Sequence, residues 1–236
     1  MTAAFPGRAA IKVGLWLTAL SLLLLAGVYL LALEYTPVEI RQGLAQKIFY
    51  IHVPAAWAAL MAFSIVGIVS VLYLWLQDPR LDLFAASSVE VGIVFSMVML
   101  TTGPIWGKPV WGTWWTWDPR LTLTLLLFFV FLGYLALRAA LSDRSERARF
   151  SAVVGIMGLL LVPFVHVSVY LFRTMHPMPM VLTPKALEGN IPMPPVMLKT
   201  LLVSVIVSTL LYVGFVLVRY GIALRAYARE GAQHAA

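Results

Sequence analysis

Leu15-Trp16-Leu17-Thr18-Ala19-Leu20-Ser21-Leu22-Leu23-Leu24-Leu25-Ala26-Gly27-Val28-Tyr29-Leu30-Leu31-Ala32-Leu33 contains no charged residue. Crossing a hydrocarbon core of roughly 30 Å takes about 20 apolar residues in helical form. This stretch is long enough, and in lipid its backbone groups must be satisfied within the segment, which a helix does. It is too long for a signal-peptide core and has no clear small-residue cleavage site, so it reads as a retained helix. Five further apolar stretches follow, giving six expected spans at about 15–33, 49–76, 84–104, 121–141, 152–173 and 196–219. The second exceeds a bilayer's thickness, so it is tilted or extends beyond the lipid. Proline disfavours helical geometry in the residue before it, so Thr101-Thr102-Gly103-Pro104 is expected to end the third.

The bulk numbers agree with an all-α, polytopic membrane protein forming a single membrane domain over residues 1–236. The chain is 61% hydrophobic and 11% charged, against roughly 25% charged in soluble domains. Its net charge of +7 is spread over short loops rather than gathered on one element, so it does not indicate nucleic acid. Cysteine is absent, which excludes thiol catalysis, disulfides and thiolate ligation of a metal.

Basic residues in short loops set orientation. One side holds Arg8, Lys12, Arg80, Arg138, Arg144, Arg147, Arg149, Arg219, Arg225 and Arg229, ten of the seventeen; Ser142 to Ser151 carries most of the bias. Both termini are therefore expected in the cytoplasm, with 34–48, 105–120 and 174–195 facing outward. The C-terminal Arg225 to Ala236 reads as a short amphipathic or frayed end.

The outer segments hold the chemistry. Trp106, Trp111, Trp114, Trp115 and Trp117 fall within twelve residues, interleaved with Gly107 and Gly112. An interfacial aromatic belt contributes one or two indoles per helix end. Five in one loop, 105–120, suggest a shaped surface instead, with large rings offered at low side-chain entropy cost. A broad aromatic shelf with a charged edge suits a flat, apolar, partly charged ligand such as haem. Asp118-Pro119-Arg120 closes the run. Asp118 and Pro119 have the chemistry of a helix cap and first residue. Arg120 is suited to pairing with Asp118, to snorkelling, or to holding a propionate; Lys108 is a second propionate candidate.

Without cysteine, a haem iron would need His or Met. His52 lies at the outer mouth of the second span, two residues before Pro54. His176 lies in Arg173-Thr174-Met175-His176-Pro177, just past the fifth span. Both fall on the side of the tryptophan run, so two imidazoles could approach one iron from opposite faces. His166, ten residues and about 15 Å of helix from His176, reads as a buried hydrogen-bonding residue. Glu90, inside the third span, is costly there and is expected to pair with His166 or a neighbouring helix, or to sit neutral in a polar cluster. His234 reads as solvated. Met175, Met178, Met180 and Met193 make segment 174–195 methionine-rich and supply fallback ligands. Its prolines Pro177, Pro179, Pro184, Pro192, Pro194 and Pro195 stiffen it.

Trp106 to Thr122, with its core Trp-Gly-Thr-Trp-Trp-Thr-Trp-Asp-Pro-Arg-Leu-Thr, resembles the signature of the tryptophan-rich haem-handling proteins of cytochrome c biogenesis. Length and span count resemble its short branch, the haem exporter C (cytochrome c maturation C) family. That resemblance implies one haem b held at the periplasmic face of the bacterial inner membrane. The tryptophan segment and two outward histidines, matching His52 and His176, would hold it. It further implies presentation of haem to a periplasmic haem chaperone, by a subunit that is not an enzyme. The implied partners are an ABC-type ATPase with its membrane subunit and a very small membrane protein. Two other classes compete: a transporter moving haem or a small solute across the bilayer, and a quinol-linked electron-transfer subunit. Only Glu90 and His166 are clear intramembrane ionisable groups, few for a polar path or for an intramembrane haem.

Overall fold

The computed structural model describes residues 6–178 and 193–234. Six helices carry the fold: α1 (Pro6–Tyr35), α2 (Phe49–Leu76), α3 (Pro79–Trp111), α4 (Pro119–Ala140), α5 (Arg144–Leu171) and α6 (Pro195–His234). All six are long and apolar enough to cross a membrane, and no strand forms among the described residues. The chain is an all-α, multi-pass membrane protein. A 3₁₀ turn, Leu44–Ile48, leads straight into α2.

The helix starts follow local chemistry. Asp78, Asp118 and Asp143 each accept a backbone N–H at the N-terminus of α3, α4 and α5, with proline at the start of α3 and α4. The cap expected of Asp118 is therefore present. α3 departs from expectation: it does not end at Pro104 but runs through Pro104 and Pro109 to Trp111. Proline only biases the residue before it, and membrane helices tolerate it: α3 also passes Pro109 after Lys108, and α2 and α5 run through Pro54 and Pro163. The helix stops instead at Gly112, whose left-handed φ of 77° lets its N–H cap the Lys108 carbonyl at 3.0 Å. The expected loop 105–120 is thus helical to residue 111. Likewise, α5 begins at Arg144 inside the expected inner loop, and α6 continues through the expected frayed end to His234.

The α2–α3 hairpin forms the centre. On one flank, Leu25 and Val28 of α1 and Val207, Leu211 and Tyr212 of α6 pack on its Ala55, Ala58, Ala59 and Phe95. On the other, Leu127, Phe131 and Tyr134 of α4 and Val165 of α5 pack on Phe63, Val66 and Val89. Phe63 and Phe131 stack at 3.8 Å between centroids, 6° from parallel. α1 and α6 approach until a Cβ on Gly7 or Gly14 would sit 2.8 Å from a backbone oxygen of Gly221 or Gly214.

Ion pairs tie the far end. Arg138 grips Asp82 through both guanidinium nitrogens, at 2.5 and 3.0 Å, with the side chains 13% and 11% exposed. Glu90 does not meet His166; it takes the other expected partner, a neighbouring helix, through Arg219 of α6. His166 is exposed on α5 rather than buried, because Val165 takes the inward position beside it.

Candidate functional site

The C-termini of α1, α3 and α5 and the N-termini of α2, α4 and α6 meet at one end of the bundle. Here a cavity of about 210 Å³ enters between α2, α3, α4 and α5. His52, Trp106, Trp111, Trp114, Trp115, Arg120 and His176 all line it. The wall continues down through Ala56, Leu60 and Val165, so the chamber is polar at its mouth and apolar at depth.

α3 forms one wall with a single face. Met99, Gly103, Gly107 and Trp111 recur every fourth residue, so they lie one above another, and all four line the cavity. The two glycines leave a flat strip. A Cβ at Gly103 would stand 3.1 Å from His52 Cε1, and one at Gly107 would stand 3.0 Å from Trp111 Cε3.

His52, in the first turn of α2, is held from α3. Its Nδ1 is 3.0 Å from Thr102 Oγ1. The Thr102 hydroxyl gives its proton to the Val98 carbonyl at 2.7 Å, so it accepts from His52, and Nδ1 carries the ring proton. Trp106 meets the imidazole edge-to-face at 5.8 Å and is itself anchored by its Nε1–H to Gln42 Oε1 at 2.9 Å. His176 reaches the same tautomer by another route: its Nδ1 donates to the Pro177 carbonyl at 2.9 Å. In both rings the second nitrogen, Nε2, is left with its lone pair, the form that ligates a metal. Burial, reinforced by the nearby Arg120 guanidinium, lowers the His176 pKa to about 4, against the opposing pull of the Pro177 carbonyl and Asp118. The ring is neutral at physiological pH.

Asp118 does not line the cavity; it builds it. One oxygen caps α4 through Leu121 N–H at 3.1 Å. The other accepts the Thr174 hydroxyl at 2.7 Å and Met175 N–H at 3.2 Å. Burial opposes ionisation of this carboxyl, but these bonds outweigh it and hold its pKa below the usual range. No ion pair joins Asp118 to Arg120 among the described residues. Arg120 lines the cavity with Nη1 buried and unpartnered. Lys108 is engaged elsewhere, its Nζ donating to the Gly112 carbonyl at 2.9 Å.

Trp114 is 58% exposed at the mouth, while Trp115 lines the cavity with its Nε1–H buried and unpartnered. Trp117 does not line it; 76% exposed, it packs edge-on to Trp115 at 5.9 Å and extends the rim. Met175 lines the cavity, Met178 is exposed, and Met193 packs against the Phe49–Tyr50 cluster. Met180, Pro179, Pro184, Lys185 and Pro192 lie outside the described residues. Sequence reading missed Thr102, Thr174 and Gln42, ordinary polar residues without a motif. It also missed the glycine strip, whose four-residue spacing has meaning only once α3 is known to pass Pro104.

The arrangement suits a ligand that brings its own equatorial donors. No group of three or more His, Asp or Glu side chains could hold a bare ion among the described residues. Two neutral imidazoles, a flat glycine strip, indoles and a free guanidinium remain. The class is a multi-pass membrane protein whose described residues form six long helices, with a cavity at one end lined by histidines, indoles and an arginine.

Comparison with known proteins places it. The sequence profile of heme exporter protein C matches residues 4–234, and the chain belongs to that family. It is 40% identical over 162 residues to heme exporter protein C of Bradyrhizobium diazoefficiens, a match covering 68% of this chain and 61% of that protein. Against the Haemophilus influenzae protein of the same name the figures are 35% over 201 residues, covering 85% and 80%. Against that of Escherichia coli K12 they are 34% over 161 residues, covering 68% and 66%. Two of these three matches span slightly less than two thirds of the relative's length.

Proposed function

We propose that this protein binds haem b at the periplasmic face of the bacterial inner membrane and delivers it to a periplasmic haem chaperone during cytochrome c maturation. It has no catalytic step of its own in this reading. The carrying observation is that His52 and His176 line one cavity, each with Nδ1–H engaged and Nε2 free. His52 and His176 supply the two axial positions, and the iron's equatorial positions are filled by the porphyrin itself. The indoles of Trp106, Trp111, Trp114 and Trp115 accept the macrocycle, with Gly103 and Gly107 making room for the His52 and Trp111 rings. Arg120 takes a propionate by a charge-assisted hydrogen bond, which would satisfy its lone Nη1. Asp118 holds the loop from behind, and Trp117 belongs to the rim where the chaperone docks. The relatives' printed name, heme exporter protein C, supports haem as the cargo, and the setting is an ABC-type assembly. An ATPase with its membrane subunit and a very small membrane protein complete that assembly. Both termini are cytoplasmic, in keeping with the basic-residue bias.

The shape favours holding over conduction. Toward the opposite membrane face the Phe63–Phe131 stack and the packed Val66 and Val89 follow the deepest lining residues. The chamber is a blind pocket rather than a path.

The test is the absorption and resonance Raman spectrum of haem-loaded protein beside His52→Ala and His176→Ala. The expected result is a six-coordinate low-spin spectrum in the parent and loss of that signature, with lower haem retention, in each variant. Unchanged spectra and occupancy in both would overturn the reading.

A further inference from the structure

The two histidines are mounted differently. His52 sits within a regular helix, and its ring is braced by Thr102 Oγ1 at 3.0 Å, by Trp106 at 5.8 Å and by the close approach of Gly103. His176 belongs to the irregular segment that follows α5. Among the described residues its Nδ1 is hydrogen-bonded to the carbonyl of the next residue, which orients the imidazole without tying it to another element.

What fixes that segment is one side chain. The Thr174 hydroxyl donates to Asp118 Oδ2 at 2.7 Å and accepts the backbone N–H of His176 at 3.1 Å. Met175 N–H ends on the same Asp118 oxygen at 3.2 Å. Asp118 itself is fixed, because its other oxygen caps α4. The chain of contacts therefore runs from the rigid start of α4, through the Thr174 hydroxyl, to the backbone of His176. Among the described residues these are the hydrogen bonds that join residues 173–178 to the rest of the bundle.

We propose that Thr174 is the positioning residue that clasps His176 against the start of α4, and that His176 is consequently the axial ligand that leaves while His52 stays. This rests on the haem reading above. Release needs no electron transfer: the Fe–Nε2 bond of His176 breaks with its pair returning to nitrogen. The clasp consists of exchangeable hydrogen bonds between part-buried groups behind the cavity wall, so a docking partner that competes for the Asp118 oxygen or the Thr174 hydroxyl would open it. A ligand needed both to orient haem and to let go is better mounted on such a clasp than on a helix.

The test uses the full-length protein in nanodiscs with Thr174→Val, which keeps shape and removes the hydroxyl, and Thr174→Ser, which restores it. In apo protein, amide hydrogen exchange at Met175 and His176 should rise in Thr174→Val and return to parent values in Thr174→Ser. In the haem-loaded protein, Thr174→Val should reproduce the His176→Ala spectrum, regain the low-spin form on adding free imidazole, and lose haem to an apo-globin acceptor about tenfold faster. His52→Ala should lose haem faster still, because the braced ligand is then gone. Parent-like exchange and release in Thr174→Val, or failure of Thr174→Ser to restore them, would overturn the clasp. If the parent takes up no haem, or both histidine variants keep its spectrum, the haem reading itself fails, while the apo exchange result still decides the clasp. Thermal unfolding of the apo variants reads folding separately, and Thr174→Ala carries the same expectation should the valine variant not fold.

Discussion

Gly103→Ala separates the site from the fold, because the two are expected to respond in opposite directions. The added Cβ would lie 3.1 Å from His52 Cε1 and 3.7 Å from Nδ1, whereas comfortable carbon contacts begin near about 3.5 Å. The imidazole must therefore yield by roughly 0.4 Å. It has little freedom to do so: Thr102 holds Nδ1 at 3.0 Å and Trp106 stands against the ring at 5.8 Å. A shift of that size approaches the tolerance of about 0.5 Å for a preorganised ligand set. It also weakens a hydrogen bond with a net value of about 0.5–1.5 kcal/mol. Haem affinity should fall about two- to twelvefold. Meanwhile, replacing a glycine inside a helix gains up to about 1 kcal/mol in propensity, so apo stability should hold or rise. Gly133→Ala is the control, because a Cβ there meets nothing within 4 Å: it should gain the propensity and leave haem alone. Affinity is read by titration of the Soret band, and stability by thermal unfolding of the apo proteins in the same detergent. Haem affinity within twofold of the parent and an unaltered spectrum in Gly103→Ala would refute the claim that this glycine makes room for a fixed His52.

Three further outcomes follow from the geometry. Arg120→Gln should lower affinity for haem about tenfold and leave affinity for haem dimethyl ester, which has no propionate charge, unchanged; equal losses on both would remove the propionate contact. Asp82→Asn breaks a two-point ion pair that is largely shielded from solvent, and should cost about 3–5 kcal/mol, seen as a lowered unfolding temperature with haem affinity at 25 °C preserved. Because the chain has no cysteine, single cysteines report orientation cleanly. Ile40→Cys, at a position 98% exposed, should react with a membrane-impermeant maleimide in intact cells, and Ser142→Cys only after lysis; the reverse pattern would invert the topology.

The spans were legible because hydropathy is a property of composition, and membrane-crossing segments must be apolar whatever they pack against. Asp118 was legible as a cap because Asp-Pro at a helix start is local chemistry. The extent of α3 was not, since a proline only biases the residue before it and membrane helices run through prolines, as α2 and α5 also do; with it went the glycine strip. The gathering of His52 and His176 could be expected from topology, but not the mounting that distinguishes them. Thr102 and Thr174 are two of many hydroxyls in an apolar chain, and each matters through a partner about fifty residues away or more: His52 for one, Asp118 for the other. Glu90 likewise found Arg219 on a helix far off in sequence. The same two helices meet again where the Ser88 and Tyr212 hydroxyls lie 2.6 Å apart, another pairing that no local pattern reveals.

The site is unfinished in a particular way. Buried polar atoms without partners cost about 1–3 kcal/mol each, and the Arg120 Nη1 and Trp115 Nε1 atoms beside the cavity are such cases. Several neighbouring donors are engaged: Trp106 with Gln42, Lys108 with Gly112, Thr113 with the Trp115 carbonyl; Thr116 Oγ1 is buried without a partner as well. Of the buried unpartnered atoms, the Arg120 guanidinium and the Trp115 indole are the ones that line the chamber. A neutral imidazole on a helix, a neutral imidazole on a clasp and a guanidinium with an unpartnered Nη1 leave three demands open at once. A flat metal complex with an anionic edge meets all three, whereas a neutral apolar solute would leave Arg120 as it stands. The same unmet demands make tight retention conditional on all three contacts holding together. Loosening the clasp at Thr174 would then weaken one axial contact without disturbing His52 or the helical frame, the minimum change that turns a holding site into a donating one.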